Sequence, residues 1–333
     1  MASSTYRKLI VHTPSRNFRA ATQIVEVPIP QLNSSEVLVR NRYAGVNASD
    51  VNIAAGVYFV NTPLPWDLGV EIAGEVAAVG NQVTHLKVGD PVIAIGMGKG
   101  YAEYAVFAAD ALVPVPSASP ELMTLWTAGL AASIGLEVVG NMQAGETVLI
   151  TAAAGGTGHL AVQIAKQAGC HVIGTCSSDH KADYLARLGC DRPINVRRED
   201  LGSVLANEYP SGIPLIFESV GGAVFDTCVE HLARRGRLIT IGHIAEYATG
   251  PQPVTQPRIY TQLLWKSATV QGFLYSDYPE HIPAHFGKLL EQTLSERLQV
   301  QVDPTEFRGV ESIVDAVEYL HSGQNLGKVV ITY

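Results

Sequence analysis

Seven residues between Ala152 and Gly158, reading AAAGGTG, carry the clearest chemistry in this chain. Their spacing, Ala152-x-x-Gly155-x-x-Gly158, is a relative of G-x-G-x-x-G. Residues this small let the backbone N–H groups of Ala154, Gly155, Gly156, Thr157 and Gly158 approach a pyrophosphate, whose charge then meets the positive end of a following helix. The competing reading is a turn with a structural role only. The flanks favour the ligand: Thr147–Thr151 is aliphatic and β-branched, and Leu160, Ile164 and Ala168 recur at helical spacing. That is a buried strand, a tight turn and a helix, the context a dinucleotide site needs.

The second informative position lies after the next strand, expected at Cys170–Thr175. NAD enzymes place an acid there for the ribose 2′-hydroxyl. Here the position falls on Cys176 or Ser177. Ser177, Ser178 and Lys181 offer hydroxyls and a cation suited to a 2′-phosphate, and Asp179 reads as a first-turn acid favoured by the helix dipole. The expected cofactor is therefore NADPH. Gly242, His243, Phe273 and Leu274 follow later strand ends, where ligands of such sheets sit.

The elements that must position these groups divide the chain in two, as 333 residues would suggest. Up to about residue 115, short strands separated by Pro, Gly and Asn (YRKLIVH, QIVEVPIP, EVLVRNRYAGV, EIAGEVAAVG, DPVIAI, YAEYAVF) predict an all-β barrel. Residues 121–140 read as helical. From Glu146 strands alternate with helices, with strands expected at 170–175, 192–196, 214–217, 237–241 and 268–273. A long helix follows around 281–299, then a closing strand at 328–332. That alternation predicts an α/β domain with a doubly wound parallel sheet.

Net charge is −8 with no basic run, so nucleic acid is not an expected partner. No apolar run of about 18 residues is evident in the sequence, so no membrane span is expected. The start, MASSTYRKLIV, lacks a secretory h-region, and the end, Val-Ile-Thr-Tyr, matches no common address. Cys170, Cys176, Cys190 and Cys228 form no C-x-x-C pair and read as buried thiols of a cytoplasmic protein.

Further motifs carry a family resemblance. Gly45-Val46-Asn47-x-Ser49-Asp50, Gly69-x-Glu71-x-Ala73-Gly74-Glu75-Val76, the Ala152–Gly158 turn, Ser219-Val220-Gly221-Gly222 and Asn325-x-Gly327-Lys328 occur in order. With these the chain resembles the medium-chain dehydrogenase/reductases over essentially its whole length, and within them the zeta-crystallin-type quinone oxidoreductases. The resemblance implies a GroES-like barrel domain (1–120 and 268–333), a Rossmann domain (121–267), a cleft between them for cofactor and substrate, and a homodimer formed through an edge strand of the Rossmann sheet. It adds Ser219, Val220, Asn325 and Lys328 to the cofactor contacts.

Zinc-dependent relatives place a Cys where this chain has Asn47 and a His where it has Val70, so no metal is expected. Tyr58 stands at the family position for a pocket tyrosine, either a donor to the substrate carbonyl or a packing aromatic. Asn47 and Asn52 are the other polar candidates, Asn47 as an amide clamp or as a satisfied turn residue. Two departures stand out: Val196 where a Tyr often stacks near the adenosine phosphate, and Gly129-Leu130-Ala131-Ala132 where relatives often carry Thr. The latter predicts an apolar wall and a small hydrophobic substrate. Without a Lewis acid, hydride addition suits a conjugated acceptor that spreads its own charge. The expected activity is reduction of the C=C of an α,β-unsaturated carbonyl. Quinone reduction is the alternative, and an idle NADPH-binding protein the third.

Overall fold

The computed structural model describes residues 4–58 and 62–333. The chain forms two compact units, one made of Met1–Thr127 with Val302–Tyr333 and the other of Ala128–Gln301.

The first unit is mostly antiparallel. β1 (Thr5–Val11) pairs with β2 (Thr22–Pro28) and β4 (Trp66–Asp67) in a three-stranded sheet. The larger sheet has β3 (Glu36–Gly45) at its centre. One edge of β3 takes β5 (Glu71–Val79), which continues through β6 (Pro91–Ile95) to β8 (Val113–Pro114). Its other edge is shared. β7 (Tyr104–Ala108) pairs with Glu36–Arg40, and the late strand β16 (Val330–Thr332) pairs with Tyr43–Gly45. β15 (Phe307–Arg308) lies beside β16. Strand β7 starts three residues later than the pattern YAEYAVF suggests. The amides of Tyr101 and Glu103 are already committed to the carbonyls of Leu68 and Arg7, which stitches this segment to the smaller sheet.

The second unit is a six-stranded parallel sheet, formed by β9 (Thr147–Ile150), β10 (His171–Cys176), β11 (Arg192–Asn195), β12 (Ile213–Glu218), β13 (Leu232–Thr240) and β14 (Thr269–Gly272). Their spatial order is β11-β10-β9-β12-β13-β14. In order of the chain this reads 3-2-1-4-5-6, the doubly wound arrangement whose ligands bind where the winding reverses, here between β9 and β12. Val148, Leu149 and Ile150 are fully buried, which is why the central strand reads as an unbroken aliphatic run instead of an alternating one.

Three expectations need correction. The division expected at 267/268 falls at 301/302. The 268–273 segment has no polarity cue to say which sheet it joins, and β14 pairs with β13 in register Arg237↔Thr269 to Thr240↔Gly272. The helix expected over 281–299 is Ile282–Leu294, ended by a left-handed turn at Glu296 (φ 59°). Pro120–Val139 is helical as expected, but over its 20 residues it is apolar enough to cross a membrane by length and composition, where no such run was expected. The charges that interrupt it are few, and 67% of its most apolar window is buried inside the protein, as in a core helix.

Candidate active site

In the second unit the chain leaves β9 and hangs on β10. The Ala152 amide donates to Thr175 Oγ1 (3.0 Å), and the Ala153 amide donates to the Thr175 carbonyl (2.8 Å). Ala152 adopts φ 47°, a left-handed conformation that is easier for Gly. Gly158 is held tightly: a Cβ there would lie 2.5 Å from the Ala152 carbonyl oxygen and 2.6 Å from Ala153 Cα. A Cβ on Gly155 would meet only the Ala152 oxygen at 3.3 Å and otherwise open space. Helix Gly158–Gln167 follows, and its N-cap Thr157 makes no side-chain cap. Its first N–H groups thus lack side-chain competition for an anion. The turn, its open Gly155 face and the helix terminus fit a dinucleotide pyrophosphate.

At the end of β10, Cys176 is buried and Ser178 caps the helix Asp179–Arg187 by accepting from the Lys181 amide at 3.3 Å. Asp179 accepts from Asn195 Nδ2 (2.7 Å) and pairs with Arg198 (2.6 Å). The nearest acid is therefore tied to groups beside β11, with Arg198 as its ion-pair partner.

Sequence reasoning missed Glu218, the last residue of β12. Its Oε1 accepts from the amides of Val220 (2.7 Å) and Gly221 (3.0 Å), and its fully buried carboxyl is pushed upward in pKa by desolvation. The Ser219 amide donates to Thr151 Oγ1, and the Ser219 and Val220 carbonyls accept from Ile244 and Ala245. The amides of Ser219 and Val220 are thus committed internally, and each carbonyl already takes one backbone donor. Gly242 and His243 follow β13, with the His243 ring edge-on to Tyr247 at 4.5 Å. Phe273 is buried against Tyr278, whereas Leu274 is exposed.

The first unit brings Asn47, Asp50, Glu71, Tyr101 and Lys328 into one buried cluster. Lys328 Nζ forms an ion pair with Glu71 Oε1 and donates to Asn47 Oδ1 at 2.8 Å. Asn47 Nδ2 donates to Glu71 (2.9 Å), and its amide N–H donates to Asp50 Oδ2 (2.8 Å). Both polar groups of the Asn47 side chain are engaged within the cluster, which favours the turn-residue alternative over the clamp. Lys328, expected at the cofactor, spends its charge on Glu71, and Asn325 turns back on the Gly327 carbonyl (3.0 Å). The cluster does not fit zinc either: an ammonium already sits on the two side chains that remain near the lost ligand position, and a second cation would be repelled. Among the described residues no three His, Cys, Asp or Glu side chains group as metal ligands.

Tyr58 is half exposed, and its oxygen accepts from Asn52 Nδ2 at 3.4 Å. Asn52 is oriented by Arg16, which donates to its Oδ1 at 3.2 Å. Arg16 carries no motif and was not a candidate. Residues 59–61, next in the chain after Tyr58, lie outside the described residues.

Two buried groups pull acid stability in opposite directions. Desolvation raises Asp50 to about 6, although Tyr101 donates to it at 2.5 Å. Its contribution is present below the unfolded value of about 3.9 and lost as pH rises through about 6. Desolvation lowers His159 to about 4. Its contribution is present above the unfolded value of about 6.5 and lost as pH falls toward about 4. Asp50→Asn removes the opposing group, so urea titrations of that variant are expected to lose stability more steeply than the parent from pH 6.5 to 4. A flatter profile would contradict the assignment.

The comparisons agree with this geometry. A family model described as "Alcohol dehydrogenase GroES-like domain" matches residues 33–117, and one described as "Zinc-binding dehydrogenase" matches residues 156–292. The chain belongs to the medium-chain dehydrogenase/reductase family, in its zinc-independent quinone oxidoreductase group, and is an oxidoreductase. It is 44% identical to prostaglandin reductase-3 of Mus musculus, over 98% of this chain and 89% of that protein. It is 40% identical to a "probable quinone oxidoreductase" of Leishmania amazonensis, over 98% of each. Among solved structures it is similar to Escherichia coli quinone oxidoreductase complexed with NADPH (TM-score 0.85, 27% identity, 98% of this chain and 100% of that one).

Proposed function

We propose that this protein is an NADPH-dependent, zinc-independent reductase of the conjugated C=C of α,β-unsaturated carbonyls, acting on small hydrophobic substrates. Ala154–Gly158 would hold the pyrophosphate, and Ser177, Ser178 and Lys181 the 2′-phosphate. Gly242, His243, Phe273 and Leu274 belong to the strand ends that would line the rest of the cofactor. When bound, NADPH supplies a hydride.

The polarity of the Tyr58 hydroxyl is the observation that carries the reading. Arg16 fixes the Asn52 amide so that its nitrogen faces Tyr58. The Tyr58 oxygen therefore accepts, and its own proton is free to point at a substrate carbonyl oxygen where negative charge develops. A conjugated acceptor needs no more than such donors. Tyr58→Phe is expected to lower kcat about a hundredfold, the size of one lost oxyanion donor, with NADPH affinity unchanged. An unchanged kcat would leave Tyr58 as a packing residue.

Quinone reduction is the second reading, supported by the name of the Leishmania relative. Steady-state NADPH oxidation with a trans-2-enone and with a small quinone separates the two, and turnover of the quinone alone would sink the first. NADH in place of NADPH tests the 2′-phosphate assignment, because equal kcat/KM for both would remove it.

The protein is further proposed to be a cytoplasmic homodimer. Its four cysteines are buried and unpaired, as suits a reducing compartment. Strand β14 ends its sheet, and nearby Tyr260, Leu264, Trp265 and Leu274 are each at least 65% exposed, an apolar face beside an open strand edge. Sedimentation equilibrium is expected to return twice the chain mass of 35.6 kDa. A monomer at micromolar concentration would contradict it.

A further inference from the structure

One face of helix Gly158–Gln167 reads backbone. His159, Gln163 and Gln167 recur every four residues, and each bonds the main chain of the segment Arg297–Gln301. Gln167 Nε2 donates to the Arg297 carbonyl (2.7 Å). Gln163 donates to the Gln299 carbonyl and accepts from the Gln299 amide, both at 2.8 Å. His159 Nε2 meets the Gln301 amide at 3.0 Å. The match is geometric. Four helical residues rise about 6 Å, and each such step moves the contact two residues along the segment, from Arg297 to Gln299 to Gln301.

The third member also faces the dinucleotide turn. Because the Gln301 N–H donates to it, Nε2 must be unprotonated, so the ring is the Nδ1–H tautomer and donates from Nδ1 to the Gly155 carbonyl at 2.9 Å. The ring is fully buried and neutral at working pH. One imidazole thus joins the middle of the Ala152–Gly158 turn to the last residue of the second unit, beyond which the chain passes at Val302 to the first.

We infer that His159 is a positioning residue for the cofactor: it holds the Gly155 carbonyl inward so that the neighbouring amides face the pyrophosphate, and through Gln301 it ties that arrangement to the Arg297–Gln301 latch. The inference rests on NADPH occupying the turn. It makes cofactor binding and ordering of the latch mutually stabilising, since each favours the same ring orientation.

Two substitutions cut the two bonds separately. Asn places an N–H near the Nδ1 position and Gln places an oxygen near Nε2. His159→Asn keeps the bond to Gly155 and loses Gln301. His159→Gln keeps Gln301 and loses the side-chain bond to Gly155, leaving only the residue-159 amide on that carbonyl. Fluorescence titration with NADPH is expected to show His159→Asn within about twofold of the parent and His159→Gln about tenfold weaker, the size of one buried hydrogen bond. Saturating kcat is expected unchanged in both. Equal affinities in the two variants, or weaker binding by His159→Asn, would overturn the inference. Hydrogen exchange on the unsubstituted protein supplies an arm that needs no variant. Saturating NADPH is expected to slow exchange at the Gln299 and Gln301 amides. Protection of the turn with no change at those two amides would also overturn it. Should the unsubstituted protein bind no NADPH at all, the functional reading falls, and the outcome is recognisable as that failure.

Discussion

Lys328→Met is expected to destabilise the first unit by about 3–5 kcal/mol, the usual effect of removing one member of a buried ion pair. Lys328 and Glu71 are 3% and 1% exposed, so bulk solvent is shut out from both charges. Methionine fills the volume of the lysine stem but leaves Glu71 with only the Asn47 amide, and leaves Asn47 Oδ1 without its donor. Pairing the change with Glu71→Gln removes the stranded charge, and the double variant is expected to recover much of the loss. Urea unfolding of the two single variants and the double one checks this. If Lys328→Met unfolds within about 1 kcal/mol of the parent, the pair contributes no more than an exposed one would.

Gly158→Ala is expected to produce the largest functional loss, and Gly155→Ala shows why. At Gly158 the new methyl would lie 2.5 Å from a backbone oxygen and 2.6 Å from Ala153 Cα, atoms that move only if the turn moves. Displacing the turn would remove about two amide–phosphate hydrogen bonds at about 1.5 kcal/mol each, or roughly a hundredfold in NADPH affinity. Overpacking adds about 1–3 kcal/mol of instability. At Gly155 the methyl enters open space, so the protein is expected to keep its stability and lose cofactor, because that space is where the ligand approaches. Thermal melts with and without NADPH separate these outcomes. Gly158→Ala with parental affinity would show that the close contact is not part of the cofactor site.

What could be read in the sequence was local. The β9–turn–helix unit, the missing acid after β10 and the strand–helix alternation each lie within a few residues, where pattern and spacing report on structure directly. The groups that escaped are joined across long separations. Lys328 meets Asn47 over 281 residues, and the motif containing it resembles a cofactor contact, so its partner Glu71 gave no cue. Arg16 reaches Tyr58 through Asn52. His159 carries no motif of its own, and its role depends on a segment 142 residues away. The boundary at 301/302 was missed for the same reason: which sheet accepts the short strand at 269–272 is decided by an edge, not by its own residues.

The central claim concerns where the hydride goes. Product analysis with a 4-deuterated NADPH and a trans-2-enone tests it most directly. The expected product is the saturated ketone carrying deuterium at the former β-carbon. An allylic alcohol with deuterium on the carbinol carbon, or unreacted enone beside a quinone that turns over, would contradict the account.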